Sequence, residues 1–377
     1  MNRWCDGSRP ILLAFCLCCV CIVGIRAAEA QDAPALPIEV AANDPHVRYI
    51  GRFDTQDAAG PRCTWSASAI QLKFRGTALN VKLKEAGNDA YQVIVDGKPT
   101  SILKTKSSMS VYPVAAMLPN TEHTVMLVKR TEAFVGTTQI LGFQLEQGAK
   151  LLALPPRQKH RIEVIGDSIS CGYGNEGKDQ NEHFSPTTEN AYLTYGAIAA
   201  RTLGAEYVCL AWSGRKMWPD NTMGEIYGRT LATDSNSKWD FTQWVPDVVV
   251  IHLATNDFGK DNPDQRAWTQ GYEAFLTRVR KAYPKAEIYC ACGSMMSDDY
   301  PPGHKALSTV ITYLNQIVAD EKRAGDTRVH FLQFATQDMK NGLGSDWHPS
   351  VKTHELMAAT LESRLEADLG WKPAPAP

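Results

Sequence analysis

The sequence predicts an α/β fold: a three-layer α/β/α domain around a five-stranded parallel sheet, preceded by an antiparallel β-sandwich of jelly-roll type. Three observations predict it. Residues 47–150 read as short strands separated by turns, with no long helical segment. From residue 160 onward, apolar runs of strand length alternate with segments whose apolar positions recur at helical spacing. Four short motifs with chemical potential each follow one of those runs, where open parallel sheets hold their ligands.

The 377-residue chain is long enough for two cored domains, and its 44% hydrophobic and 21% charged residues are ordinary for a globular protein. A net charge of -2 argues against nucleic acid or an anionic membrane as the main partner. At the amino terminus, Arg3 and Arg9 precede the uncharged run "ILLAFCLCCVCIVGI" (11–25), and Ala28-Glu29-Ala30 has the form of a cleavage site. The run is shorter than the ~20 residues of a membrane-spanning helix. Export with cleavage near Ala30 is therefore expected, with a retained anchor as the alternative. The expected organisation is a signal peptide (1–30), a linker (31–45), a β-sandwich (46–153), a second domain (160–370) and a tail (371–377), in a secreted or periplasmic protein.

Five of the ten cysteines leave with the leader; Cys63, Cys171, Cys209, Cys290 and Cys292 remain. An odd number leaves at least one thiol free or paired between chains, and none of the spacings is that of a zinc site.

The sandwich begins with "ASAIQLKF" (67–74) and "ALNVKLK" (78–84), which alternate apolar with polar residues. "YQVIVDG" (91–97), "HTVMLVKR" (123–130) and "QILGFQLE" (139–146) continue it, with hairpin connections expected at "AGND" (86–89) and "DGKP" (96–99). In the second domain the strands are "RIEVIG" (161–166), "EYVCLAW" (206–212), "PDVVVIHLATND" (246–257), "AEIYCAC" (286–292) and "RVHFLQF" (328–334). Helices are expected at 189–204, 263–283, 304–325 and 350–368, so the sheet is covered on both faces.

The first motif is Gly166-Asp167-Ser168, a serine presented at a strand end with Asp167 bracing the turn. The second is "AWSGR" (211–215), where Gly214 lets a backbone N–H approach a ligand closely. The third is "ATNDF" (254–258), where the Asn256 amide is a neutral donor suited to an oxyanion. The fourth is "SDWHPS" (345–350). There His348 can act as a base, and Asp346, two positions earlier, points the same way in an extended segment. Taken singly, each is an ordinary turn. His252 reads as a core residue inside its strand, and His354 is the rival base nearby. Trp347 and Trp218 flank these motifs and suit a small acyl group or a sugar ring.

Serine, glycine, asparagine and histidine in this order resemble the SGNH (GDSL-type) hydrolases, whose four letters fall on Ser168, Gly214, Asn256 and His348. "VRYIGRF", "GPRCTWSASAIQLKFRGTALNVKL", "IEVIGDSISCGYG" and "SDWHPS" extend the match into the sandwich and are similar to carbohydrate esterase family 2. That family joins a jelly-roll domain to an SGNH esterase domain and removes acetyl groups from plant polysaccharides. The resemblance implies a serine esterase without metal or organic cofactor, working on acetylated polysaccharide or oligosaccharide through an acetyl-enzyme. Ser168 would be the nucleophile, His348 the base and Asp346 its orienter, with the Ser168 and Gly214 N–H groups and the Asn256 amide as oxyanion hole. Trp347 and Trp218 would line the substrate. Two departures stand out: Ala254 takes the place of a usual glycine, and the last block is Asp-x-His, so a backbone carbonyl is the alternative orienter. Alternatives for the whole chain are a short-chain lipase or thioesterase, and a non-catalytic carbohydrate-binding protein.

Overall fold

The computed structural model describes residues 37–374. The expected signal peptide, the start of the expected linker and residues 375–377 lie outside them. Eleven strands form the amino-terminal part: β1 (Ile38–Ala41), β2 (Arg48–Ile50), β3 (Arg62–Cys63), β4 (Ala69–Gly76), β5 (Leu79–Glu85), β6 (Ala90–Val95), β7 (Lys98–Lys104), β8 (Met109–Ala115), β9 (Thr121–Lys129), β10 (Thr138–Leu145) and β11 (Lys150–Leu152). They make two antiparallel sheets, β1-β10-β5-β8 with β3 on β10, and β11-β4-β9-β6-β7 with β2 on β4. Alternate residues of the two sheets, among them Val81, Leu83 and Phe143 facing Leu72, Val93 and Leu127, share one core.

Two expectations are corrected here. The segment 31–45 is not all linker, because Ile38–Ala41 pairs with Gly142–Leu145 of β10. "AGND" is not a hairpin turn: β5 and β6 belong to different sheets, so the segment carries the chain between layers. "DGKP" does close the β6–β7 hairpin, with positive φ at both Asp96 (50°) and Gly97 (78°), the backbone of a type I′ turn.

The carboxyl-terminal part consists of β12 (His160–Gly166), α1 (Ser168–Cys171), α2 (Tyr195–Thr202), β13 (Ala205–Ala211), β14 (Val248–His252), α3 (Gln265–Ala282), β15 (Glu287–Cys292), α4 (Ala306–Arg323), β16 (Val329–Gln333) and α5 (Val351–Leu369). The five strands are all parallel, in the order β13-β12-β14-β15-β16. In β14, Val249 and Ile251 pack with α3 and α4, while Val248 and Val250 pack with α2 and α5. Such two-sided burial explains an unbroken apolar run. The chain leaves β12 for β13 on one side and returns to β14 on the other. The crevice between these crossovers, at the carboxyl end of β12, is where such sheets place their chemistry.

The two parts form one compact unit. Ile50, Ala69, Ile94 and Val128 of the sandwich pack directly on Cys171, Cys209 and Ala211. The Arg52 guanidinium enters the second part, donating to the carbonyls of Tyr227 and Arg229 (2.9 Å to the latter) beside buried Glu163. All five cysteines of the described residues are buried and free.

Candidate active site

Ser168 is the first residue of α1, directly after β12. Asp167 caps that helix, its carboxylate accepting the Ile169 N–H at 3.1 Å. The Ser168 N–H lies in the first turn and so has no acceptor within the helix. Burial pushes the Asp167 carboxyl up to about 7, with Asp257 adding to the effect.

His348 reaches Ser168 from 180 residues away, with Nε2 2.8 Å from Oγ. Its Nδ1 lies 3.1 Å from the Ser345 carbonyl and 3.2 Å from the Asp346 carbonyl. Both are acceptors only, so Nδ1 carries the proton and Nε2 is left to accept from the serine. Burial lowers the imidazole to about 4, only partly offset by the two carbonyls, so the ring is neutral at neutral pH.

The Asp346 carboxylate does not do what the sequence suggested. It accepts the Tyr173 hydroxyl at 2.8 Å, the Phe184 N–H at 3.0 Å and a bond with His183 Nδ1 at 2.8 Å. The reason is local backbone: Asp346 and Trp347 both have positive φ (49° and 67°), so the segment is a tight turn and not extended. The side chains of Asp346 and His348 therefore diverge, and the backbone carbonyls face the ring instead. Tyr173, anchored on Asp346, stacks on the imidazole at 4.1 Å between ring centroids. The glycines of "CGYGNEG" make this docking possible, since a Cβ on Gly174 or Gly177 would overlap Ser345.

Gly214 follows β13 with φ 77°, and its carbonyl accepts from the Asn221 amide at 2.9 Å. Asn256 lies between the first two motifs. Its amide donates to the Arg215 carbonyl at 3.0 Å and, more weakly, to Asp167 at 3.3 Å. Ala254 is buried with φ 103°, a conformation in which glycine is at ease and alanine is strained. Asp257 ties the second and third motifs together by accepting the N–H groups of Met217 and Trp218 at 3.0 and 2.9 Å.

Of the two tryptophans, Trp347 is 56% exposed beside the base. Trp218 is half-buried, with its ring against Gly271 of α3 and the core there. The aromatic wall is built from other residues. Tyr173, Phe184, Phe134 and Trp212 follow one another with centroid separations of 4.7, 5.4 and 6.5 Å. Phe134 comes from the sandwich, and no local pattern in the sequence marks it. His354, the rival base, is buried and accepts the Tyr195 N–H at 3.2 Å. His252 is buried against Tyr195 and Phe334. Among the described residues, one trio of potential metal ligands, Glu132, Cys171 and Glu189, has its ligand atoms within 4.8 Å of one another. Both Glu132 oxygens accept from Ser213, and one Glu189 oxygen accepts the Glu132 N–H while its other oxygen has no hydrogen-bond partner. No helix of the described residues is long and apolar enough to cross a membrane.

Residues 49–155 match the carbohydrate esterase 2 N-terminal family model, and residues 164–356 match the GDSL-like lipase/acylhydrolase family. The cellulase/esterase CelE of Acetivibrio thermocellus is 40% identical over 335 residues, which make up 87% of this chain and 40% of that longer protein. An acetylxylan esterase/glucomannan deacetylase of Cellvibrio japonicus is 25% identical, over 88% of this chain and 91% of its own length. A family two carbohydrate esterase from Clostridium thermocellum, solved in complex with cellohexaose, superposes with a TM-score of 0.82 at 40% identity, over 86% of this chain and 99% of that one. Sandwich and hydrolase parts are thus matched together, along nearly the whole of a solved relative, and the chain belongs to carbohydrate esterase family 2.

Proposed function

We propose that this chain is a serine esterase that removes O-acetyl groups from plant polysaccharides, of the acetylxylan or glucomannan type, exported with its leader cleaved near Ala30. The observation that carries the reading is Nε2 of His348 at 2.8 Å from Ser168 Oγ, with Nδ1 held by backbone carbonyls. Ser168 Oγ attacks the acetyl carbonyl carbon as its proton passes to His348 Nε2. The N–H groups of Ser168 and Gly214 receive the developing oxyanion, and Asn256 joins them by releasing its weaker bond to Asp167. The tetrahedral intermediate collapses, His348 returns the proton to the departing sugar oxygen, and an acetyl-enzyme remains. Water, deprotonated by the same histidine, frees acetate and restores Ser168.

Several features favour a small acyl group on a sugar. Tyr173 stacks on the base with Phe184 behind it, and exposed Trp347 and Phe134 offer faces to a sugar ring. The cellohexaose complex of the Clostridium thermocellum relative supports an oligosaccharide ligand. The test is acetate release from acetylated xylan, glucomannan and cello-oligosaccharides, set beside release of butyrate and longer acids from matched esters. Acetate is expected to leave fastest; a preference for long acyl chains would place the protein with the lipases or thioesterases. Carbohydrate binding without release of any acid would make it a binding protein.

A further inference from the structure

The loop carrying Gly214 is held from outside its own part of the fold. After β9 the sandwich continues through Thr131, Glu132, Ala133 and Phe134 into the second part, where Glu132 is completely buried. One carboxylate oxygen accepts the Ser213 N–H at 2.8 Å and the other accepts the Ser213 hydroxyl at 2.6 Å. Ser213 is thereby gripped at two points, immediately before the peptide whose N–H belongs to Gly214.

The clamp has its own support. The Glu132 N–H donates to Glu189 at 3.0 Å, and its carbonyl accepts from Lys129 Nζ at 3.2 Å. Lys129 in turn is paired with Asp89 at 2.7 Å. Two carboxyls buried together do not both ionise. Burial and the Glu132 charge push Glu189 well above the usual carboxylate range; burial raises Glu132 too, but there the Ser213 hydroxyl and N–H oppose the rise and favour the charged form. Glu189 accordingly keeps the proton. Cys171, whose Sγ lies 3.7 Å from Glu132, remains a thiol, raised by burial and by both carboxyls. Ser213 engages the Glu132 carboxylate and Lys129 lies beside the pair, so the two carboxyls are read as sharing one proton.

An oxyanion donor works only if it is aligned before charge develops, and small misplacements are costly. A glycine at φ 77° supplies little rigidity of its own. We propose that Glu132 is a positioning residue for the oxyanion hole, supplied by the β-sandwich, which fixes the Gly214 N–H through Ser213. This rests on the serine-esterase reading of Gly214 and gives the sandwich a part in turnover beyond shaping the cleft.

The experiment compares wild type, Glu132→Gln and Ser213→Ala on p-nitrophenyl acetate, an ester without sugar, with thermal melting of each protein. In Glu132→Gln the amide oxygen can still accept one Ser213 bond, but the amide NH2 can only donate to the hydroxyl, which must reverse, and both bonds lose their charge assistance. Loss of a whole oxyanion donor costs about 10²–10³ in kcat, so a misaligned one is expected to cost about tenfold. Ser213→Ala, which removes only the hydroxyl bond, is expected to cost about threefold, and KM stays within about twofold in both. A Glu132→Gln kcat within about twofold of wild type, measured on folded protein, overturns the proposal. If that variant does not fold, an unchanged kcat in Ser213→Ala overturns it. Loss of wild-type turnover on treatment with a chelator would make the trio a metal centre and also overturn it. A wild type that hydrolyses p-nitrophenyl acetate but no sugar acetate sinks the polysaccharide reading alone; one inert toward both overturns both.

Discussion

Replacing Asp346 with asparagine separates two ways of building this site. Were the carboxylate to hold the imidazole, the change would leave the base in the wrong tautomer and cost about 10⁴ in kcat. In the structure Nδ1 of His348 faces two backbone carbonyls at 3.1 and 3.2 Å, which no side-chain substitution removes. The carboxylate serves Tyr173, Phe184 and His183, and an asparagine oxygen can still accept from the first two. What is lost is the charge assistance to those bonds, about 1 kcal/mol each, on a side chain that is 32% exposed. Only the share that loosens Tyr173 from the His348 ring reaches the reaction. The expected loss in kcat is therefore under about tenfold, equivalent to roughly 1.4 kcal/mol. Steady-state hydrolysis of p-nitrophenyl acetate, with melting curves to verify the fold, measures it. A fall of about 10³ or more in a folded variant would refute backbone orientation of the base.

Asn256→Ala should lower kcat by about 10²–10³ if its amide turns to the oxyanion, and by under about tenfold if it only ties Arg215 to Asp167. Because burial holds His348 at about 4, kcat/KM should be lost as pH falls through that value and be independent of this group above it. An acid limb near 6.5 in the pH profile would mean an exposed base. Ala254→Gly relieves a residue at φ 103°, worth about 1–3 kcal/mol, against about 0.8 kcal/mol for the lost methyl. The thermal midpoint should stay level or rise, and a clear fall would show that the methyl is needed for packing.

Much of this was legible because the relevant signals are local. Four of the five parallel strands lie within about two residues of the runs that announce them, while β14 ends at His252, five residues before its run does; the central strands are legible because burial on both faces makes them continuously apolar. Ser168, Gly214, Asn256 and His348 stood out because each follows a strand or precedes the last helix. The edge strands β7 and β8 were missed, as β7 is exposed at every position but Leu103 and β8 is exposed along one face, so the apolar alternation fades. Asp346 was misassigned because the alternation rule assumes extended backbone, whereas the turn places two positive φ angles in succession. The packing of Trp218 was not legible, because nothing nearby records that Gly271, 53 positions on, offers a bare patch of helix for its ring. Glu132 and Phe134 act across the junction of the two parts, and a contact of that kind leaves no periodicity to find.

The most direct test of the account is to trap the intermediate. Wild-type protein mixed with an acetylated oligosaccharide and quenched in acid during turnover should carry one acetyl group on the peptide containing Ser168. Ser168→Ala should carry none and release no acetate. Acetate released by the alanine variant, or an acetyl group trapped on a residue other than Ser168, would contradict nucleophilic catalysis at this residue.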